Sequence, residues 1–374
     1  MSSCPNSGRL FRTADGSCNN IQRPSWGQSL ERFKRYVDAE YADGNTSGRC
    51  KWPRRRRCLL PSARTVSIKV HTPVTHMSQH SVMLMQWGQF LDHDLTASAI
   101  QQRKITYTEF LPEVLSDATM NHYNLKEGND NYQYNINVNP SIANVFAAAA
   151  FRYGHSKIPD ALVIDDKVVP TRKLFNDPQF IFTSLKSVVE NILSDPAQLR
   201  DRFLSEQITD HLFESAMGSF DLGAFNIQRG RDHGLPPYNT FRKFCNLPEA
   251  NNFNSEQFEK TARKPLKKTY KSVDDIDVFV GGMAEQNENG SVLGPLFNCI
   301  LGRQFSDLKY GDSFWYETTD QKRGFSKSDE STLPRLSGGS VFDPGVGRES
   351  SSKFSGKGFP LVGVDGWRVW EGTA

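Results

Sequence analysis

The chain has 374 residues, enough to bury a large core as one big domain or two ordinary ones. Its 45 basic and 42 acidic residues leave a formal charge of +3, too near neutral to argue for a nucleic-acid partner. No run of about eighteen apolar residues exists, so the sequence reads as having no membrane span, and the first residues lack the basic and apolar regions of a secretory signal.

Residues 1–30 are rich in Gly, Ser, Pro and Asn and read as loop. On spacing alone Cys4 and Cys18 are either a bridge or two free thiols. Cys50 and Cys58 flank Lys51-Trp52-Pro53-Arg54-Arg55-Arg56-Arg57, a basic run that suits a solvated loop or a cleavage site better than a nucleic-acid contact. Asn45-Thr46-Ser47 and Asn289-Gly290-Ser291 are glycosylation sequons, usable only in an exported chain.

The stretch from Met83 to Thr96 places Met83, Trp87, Phe90 and Leu91 at helical spacing, which predicts an amphipathic helix. Its last turn carries Gln89, Asp92 and His93 on one broad face, while Asp94 lies about 200° from Asp92 and serves a different site. A plainer reading is a helix end with a histidine set against the dipole and two solvated carboxylates.

Residues 141–155 predict a strong helix, with Asn139 or Ser141 as candidate cap and four consecutive alanines that let another layer approach closely. Arg152 and His155 share a face three residues apart. Within 170–216, Phe180, Ile181, Phe182, Leu185, Val188, Val189, Ile192 and Leu193 recur in helical fashion. From Asp221 to Asn239 the chain holds Asn226, Arg229, and a polar Arg231-Asp232-His233 that reads as a buried salt-bridge turn.

Three strings carry a resemblance. Trp87-Gly88-Gln89-Phe90-Leu91-Asp92-His93-Asp94 resembles the distal helix of the animal haem peroxidase superfamily. Ala150-Phe151-Arg152-Tyr153-Gly154-His155 resembles its proximal helix. Asn226-Ile227-Gln228-Arg229-Gly230-Arg231-Asp232-His233-Gly234 resembles the segment that supports the proximal histidine. The likeness covers residues 4–98 and 101–320, and it implies an all-α fold with little strand, built as one principal domain over 1–324. Residues 325–374, rich in Ser, Gly and charge, are expected to be disordered.

The resemblance implies a haem cofactor with His155 as axial iron ligand, Asn226 accepting from its Nδ1 to fix the tautomer, and Arg152 and Arg229 near the propionates. It implies His93 as the base that moves peroxide's proton, Gln89 ordering distal water or a halide, and Asp92 in an ester link to the haem. Asp94 would be one calcium ligand, but calcium takes six to eight oxygens and the companion loop of the family is missing. It also implies bridges Cys4–Cys18 and Cys245–Cys299, secretion, and hydrogen peroxide with a small donor or halide as substrates.

One departure is large. In the family a long stretch, carrying the distal arginine and a second haem-linking glutamate, separates Asp92-His93-Asp94 from Ile105-Thr106-Tyr107-Thr108-Glu109-Phe110-Leu111-Pro112. Here the two motifs join near 98–102. Three expectations therefore stand together: a slowed peroxidase, a non-catalytic haem-binding or adhesion product, and a mis-joined product that does not fold stably.

Overall fold

The computed structural model describes Cys4, Thr13, residues 15–41 and 62–70, the backbone of Met77–Ser81, Arg103, and residues 105–126, 132–175 and 177–318. The stretch 83–96, the join near 98–102, Cys50 and Cys58, and the tail 325–374 lie outside these residues.

The order begins with α1 (Ala63–Val70), β1 (Met77–Ser81), a π-helical turn (Thr106–Phe110), α2 (Leu111–Val114), α3 (Asp117–His122) and α4 (Asn144–Ala148). A 3-10 helix (Ala150–Lys157) follows, then a hairpin of β2 (Ala161–Ile164) and β3 (Lys167–Pro170), then α5 (Gln179–Ser194), β4 (Pro196–Gln198) and α6 (Glu206–Thr209). A second hairpin, β5 (Leu212–Ser215) and β6 (Gly218–Phe220), leads into α7 (Leu222–Asp232), α8 (Tyr238–Phe244), α9 (Lys260–Thr269), α10 (Val278–Ala284) and α11 (Pro295–Tyr310). The fold is thus mostly helical. The strands among the described residues form only two-stranded antiparallel pairs, β1 with β4, β2 with β3, and β5 with β6.

The core gathers around α11, whose Leu296, Phe297, Ile300, Leu301 and Phe305 are buried at helical spacing. Tyr107 is buried against it, donating its hydroxyl to Phe305 O at 2.6 Å and meeting the Trp315 ring edge-on at 4.9 Å. That hydrogen bond satisfies the phenol, so the ring can be buried without an orphaned polar tip. Two glycines let α10 enter this core. A Cβ at Gly281 would fall 2.3 Å from the Tyr238 ring, and one at Gly282 would fall 2.1 Å from Phe297, so helix contact here requires their absence.

Glu285 closes the same corner. It is fully buried, pairs with Arg242, accepts from Tyr238 Oη at 2.7 Å, and accepts from Leu296 N at 2.8 Å in the first turn of α11. Burial pushes its carboxyl pKa up, and the Arg242 charge opposes that shift. One carboxylate therefore ties α8, the end of α10 and the start of α11 together.

Two expectations change in detail. The helix over 141–155 is broken, because Ala149 (φ −138°, ψ −71°) ends α4 and starts the 3-10 helix. Neither proposed cap is used: Asn139 Oδ1 accepts from Ser141 N, Ser141 Oγ accepts from Gly27 N, and Ala143 stands at the helix start. Between the two hairpins the run 170–216 holds α5, which is kinked at Ser184, where the backbone leaves helical geometry (φ −138°, ψ 31°). Ile181, Phe182, Leu185, Val189 and Leu193 of its apolar stripe are exposed, so the periodicity formed the helix without burying its face.

Candidate functional site

The site begins with the winding that carries Arg152 and His155. Side chains three apart eclipse one another in a 3-10 helix, whereas an α-helix would stagger them by about 60°. Arg152 and His155 consequently point the same way. Pro159 ends the segment, since the residue before a proline is held extended, as Ile158 is (φ −69°, ψ 122°).

Helix α7 supplies the facing residues. Its N-cap, Asp221, accepts from Ala224 N at 3.0 Å, from Ser67 Oγ at 3.0 Å and from Arg64 Nη1 at 2.7 Å. Arg64 also donates to Thr209 O, so α1 and α6 are both fastened to the start of α7. A Cβ at Gly223 would lie 2.6 Å from Ser67 Oγ, and this close approach lets α1 lie against α7.

One helical turn in from that cap, Asn226 is fully buried and bridges both residues of the 3-10 helix. Its Oδ1 accepts from Arg152 Nη1 at 2.8 Å, and its Nδ2 lies 2.9 Å from His155 Nδ1. Arg152 Nε donates to Ala147 O at 2.9 Å, which holds the guanidinium in place. The polarity of this chain differs from the expected one. With the amide oxygen committed to Arg152, the amide nitrogen faces the imidazole, and turning the amide would set two donors against each other at Arg152.

Electrostatics keep His155 neutral. Burial and then the Arg152 charge lower its pKa to about 3. Arg152 is itself lowered by burial and by Arg229, which lies one turn beyond Asn226 on α7 and is exposed. His233 is lowered by burial and by Arg229, Arg35 and Arg152. The neighbourhood is thus cationic, and neither Arg152 nor Arg229 has an ion pair with a described carboxylate.

These residues fit a haem. The imidazole is held neutral, and with the Asn226 amide nitrogen on Nδ1 its proton stands on Nε2; iron would take Nε2 once that proton moves to Nδ1 and the amide turns its oxygen to the ring, freeing the Arg152 guanidinium for a propionate. Two guanidiniums without a described carboxylate partner suit anionic propionates. A Cβ at Gly154 would have no atom of the described residues within 4 Å, so none of them crowds the backbone beside His155. Among the described residues no group of three or more His, Cys, Asp or Glu is placed to hold a metal ion.

Of the residues singled out in the sequence, Arg152, His155 and Asn226 come together and Arg229 lies beside them. Gln89, Asp92, His93 and Asp94 lie outside the described residues. Arg231 forms the anticipated salt bridge, with Nε and Nη2 on the two oxygens of Asp277 at 2.9 and 2.7 Å, and Tyr270 Oη adds a third bond at 2.8 Å. The fastening of Arg64 and Ser67 to Asp221 was not anticipated, although an Asp just before Leu222-Gly223-Ala224 is a readable N-cap signal. Both bridges, Cys4 to Cys18 and Cys245 to Cys299, are present.

Comparison with known proteins agrees with the geometry. Peroxidase-like protein 3 of Lottia gigantea is 44% identical over 245 residues, covering 66% of this chain and 81% of that protein. Thyroid peroxidase of Rattus norvegicus is 35% identical over 254 residues, covering 62% of this chain and 27% of the relative. The chain thus spans most of the first and about a quarter of the second. Among solved structures, Peroxidase A from Dictyostelium discoideum superposes with a TM-score of 0.72 at 18% identity, covering 89% of this chain and 99% of that one, which shows a shared fold. The sequence model described as Animal haem peroxidase matches residues 11–103 and 97–343, beyond the point near 320 where the motifs stop. With most of the chain matched and the His155, Asn226 and Arg152 cluster in place, this chain belongs to the animal haem peroxidase family.

Proposed function

We propose that this chain is a haem-dependent peroxidase that uses hydrogen peroxide to oxidise a small donor or a halide, at a reduced rate. The observation that carries the reading is the contact of Asn226 with both Arg152 and His155. In it His155 would bind the iron through Nε2, and Arg152 and Arg229 would hold the propionates. The bound haem supplies the redox chemistry of peroxide cleavage.

His93 would take the proton from the inner peroxide oxygen and return it to the leaving one, Gln89 would order the distal solvent, and Asp92 would anchor the haem by an ester. The reduced rate rests on the family match, whose two stretches meet at 97–103, where the distal arginine segment of the family would fall. Losing one preorganised donor costs about a hundred- to a thousandfold in rate. Asp94 alone supplies too few oxygens for calcium. Export is supported by the two disulfides and by Asn289, which is exposed at a turn of its sequon.

The same meeting point favours a second reading, a haem-binding protein without turnover. Haem titration followed by peroxide addition separates the two. The peroxidase reading expects a Soret band abolished in His155→Ala, and guaiacol or halide turnover above free haem that is lost in His93→Ala. Binding without turnover selects the second reading, and failure to bind haem overturns both.

A further inference from the structure

Helix α9 carries a feature that the haem site does not use. From Lys260 to Val273 the chain has six basic residues and no acidic one; set against a whole-chain charge of +3, they leave the remainder at −3. The helix lies flat on the protein, with Ala262, Leu266, Thr269 and Tyr270 buried beneath it. Its outer face presents Lys260, Lys264, Lys267 and Lys268, with Lys271 just past its end, and all five are exposed. Their spacing of four, seven, eight and eleven residues makes them one row, about 12 Å long within the helix.

Helix physics does not account for this row. Cations in the last turn, as at Lys267 and Lys268, are favoured by the dipole, but Lys260 opens the first turn, where cations are disfavoured, and the N-cap acid Glu259 is engaged by the charges of Arg200 and Arg202. Lys260 with Lys264 and Lys264 with Lys268 are like-charged pairs at four residues, which repel. None of the five lysines forms an ion pair with a described residue. An anion from outside the chain would relieve each of these costs.

We propose that the outer face of α9 binds a linear sulfated polysaccharide. The row suits a linear polyanion. No large apolar side chain from residue 226 to 318 is exposed, so the face has nothing to insert into a lipid surface and no aromatic platform for stacking bases. The cations are lysines, point charges without the planar fork that selects phosphate, and Arg263 is turned inward to donate to Phe258 O. The bridge from Cys245 to Cys299 places the chain in an oxidising compartment, where such polysaccharides are met. The assignment does not depend on haem.

The test is calorimetric titration of the full chain with heparin across a salt series. Wild-type binding should weaken with salt, and K264E/K267E/K268E should lower affinity at least about a hundredfold and flatten the log–log salt slope by roughly one per lysine. Lys186→Glu on α5 should change nothing, and desulfated heparin should bind far less. If circular dichroism shows the glutamate triple variant unfolded, the K264Q/K267Q/K268Q variant replaces it with the same expected direction. Wild-type affinity in the folded triple variant, or tighter binding to phosphatidylserine vesicles or single-stranded DNA than to heparin, overturns the proposal.

Discussion

The amide nitrogen of Asn226 lies 2.9 Å from Nδ1 of His155, across 71 positions of sequence. Because Asn226 is fully buried and also receives Arg152, removing it orphans two polar groups at once. Asn226→Ala should cost about 1–3 kcal/mol in folding stability for the unsatisfied Arg152 donor and His155 acceptor. It should also weaken haem binding by about tenfold to a hundredfold, as loss of a ligand's supporting partner does. Denaturant unfolding and haem titration measure the two effects separately, and an unchanged haem affinity would show that the contact is structural only.

Arg152 should set the direction of that hydrogen bond. In the chain prepared without haem, nitrogen-15 spectra of His155 should show the proton on Nε2, because the amide donates to Nδ1. In Arg152→Ala the amide is released to turn, and a population protonated on Nδ1 should appear. A wild-type spectrum already dominated by the Nδ1-protonated form would contradict this.

The low pKa of His155 predicts a pH dependence. Its folded value is about 3, and an unfolded histidine titrates near 6.5. Between these the unfolded state binds the extra proton, so stability is full above about 6.5 and is lost as pH falls toward 3. The contribution is at most about 1.4 kcal/mol per pH unit. Urea unfolding of the haem-free chain at several pH values should show this slope, and His155→Gln should flatten it. Parallel curves for the two chains would remove His155 as the cause.

These three residues mark how far sequence reading reached. Arg152, His155 and Asn226 were legible because they sit in strings whose order resembles a family, and the helical character was legible from periodicity. The break at Ala149 was not, since four alanines favour an α-helix and no Gly or Pro marks the change to 3-10 winding. The sense of the bond between Asn226 and His155 was also hidden, because it depends on Arg152 claiming the amide oxygen. The exposed stripe of α5 shows the opposite limit: periodicity specifies a face but not what covers it.

The cap of α7 should be worth more than a surface cap. Asp221→Ala removes the acceptor of Ala224 N and leaves Ser67 and Arg64 without it. Loss of the cap alone costs about 0.5–2 kcal/mol. Ser67→Ala spares the cap and should cost less than Asp221→Ala in thermal unfolding. Equal losses would assign the stability to α1 packing instead.

Gly282→Ala tests the close entry of α10. The added methyl would lie 2.1 Å from the Phe297 ring, and overpacking of this kind costs about 1–3 kcal/mol. The expected readout is a lower denaturation midpoint, with haem binding unaffected once the protein is folded. A neutral effect would mean that the ring yields freely.

The bridge between Cys245 and Cys299 closes a loop of 54 residues that contains α9 and α10. Tension applied at the lysine row can draw out no more chain than that loop holds. Beyond it the load passes through the covalent bond into α11, which is packed in the core. If the protein is moored by that row, reducing the bridge converts a rigid anchor into a slack tether.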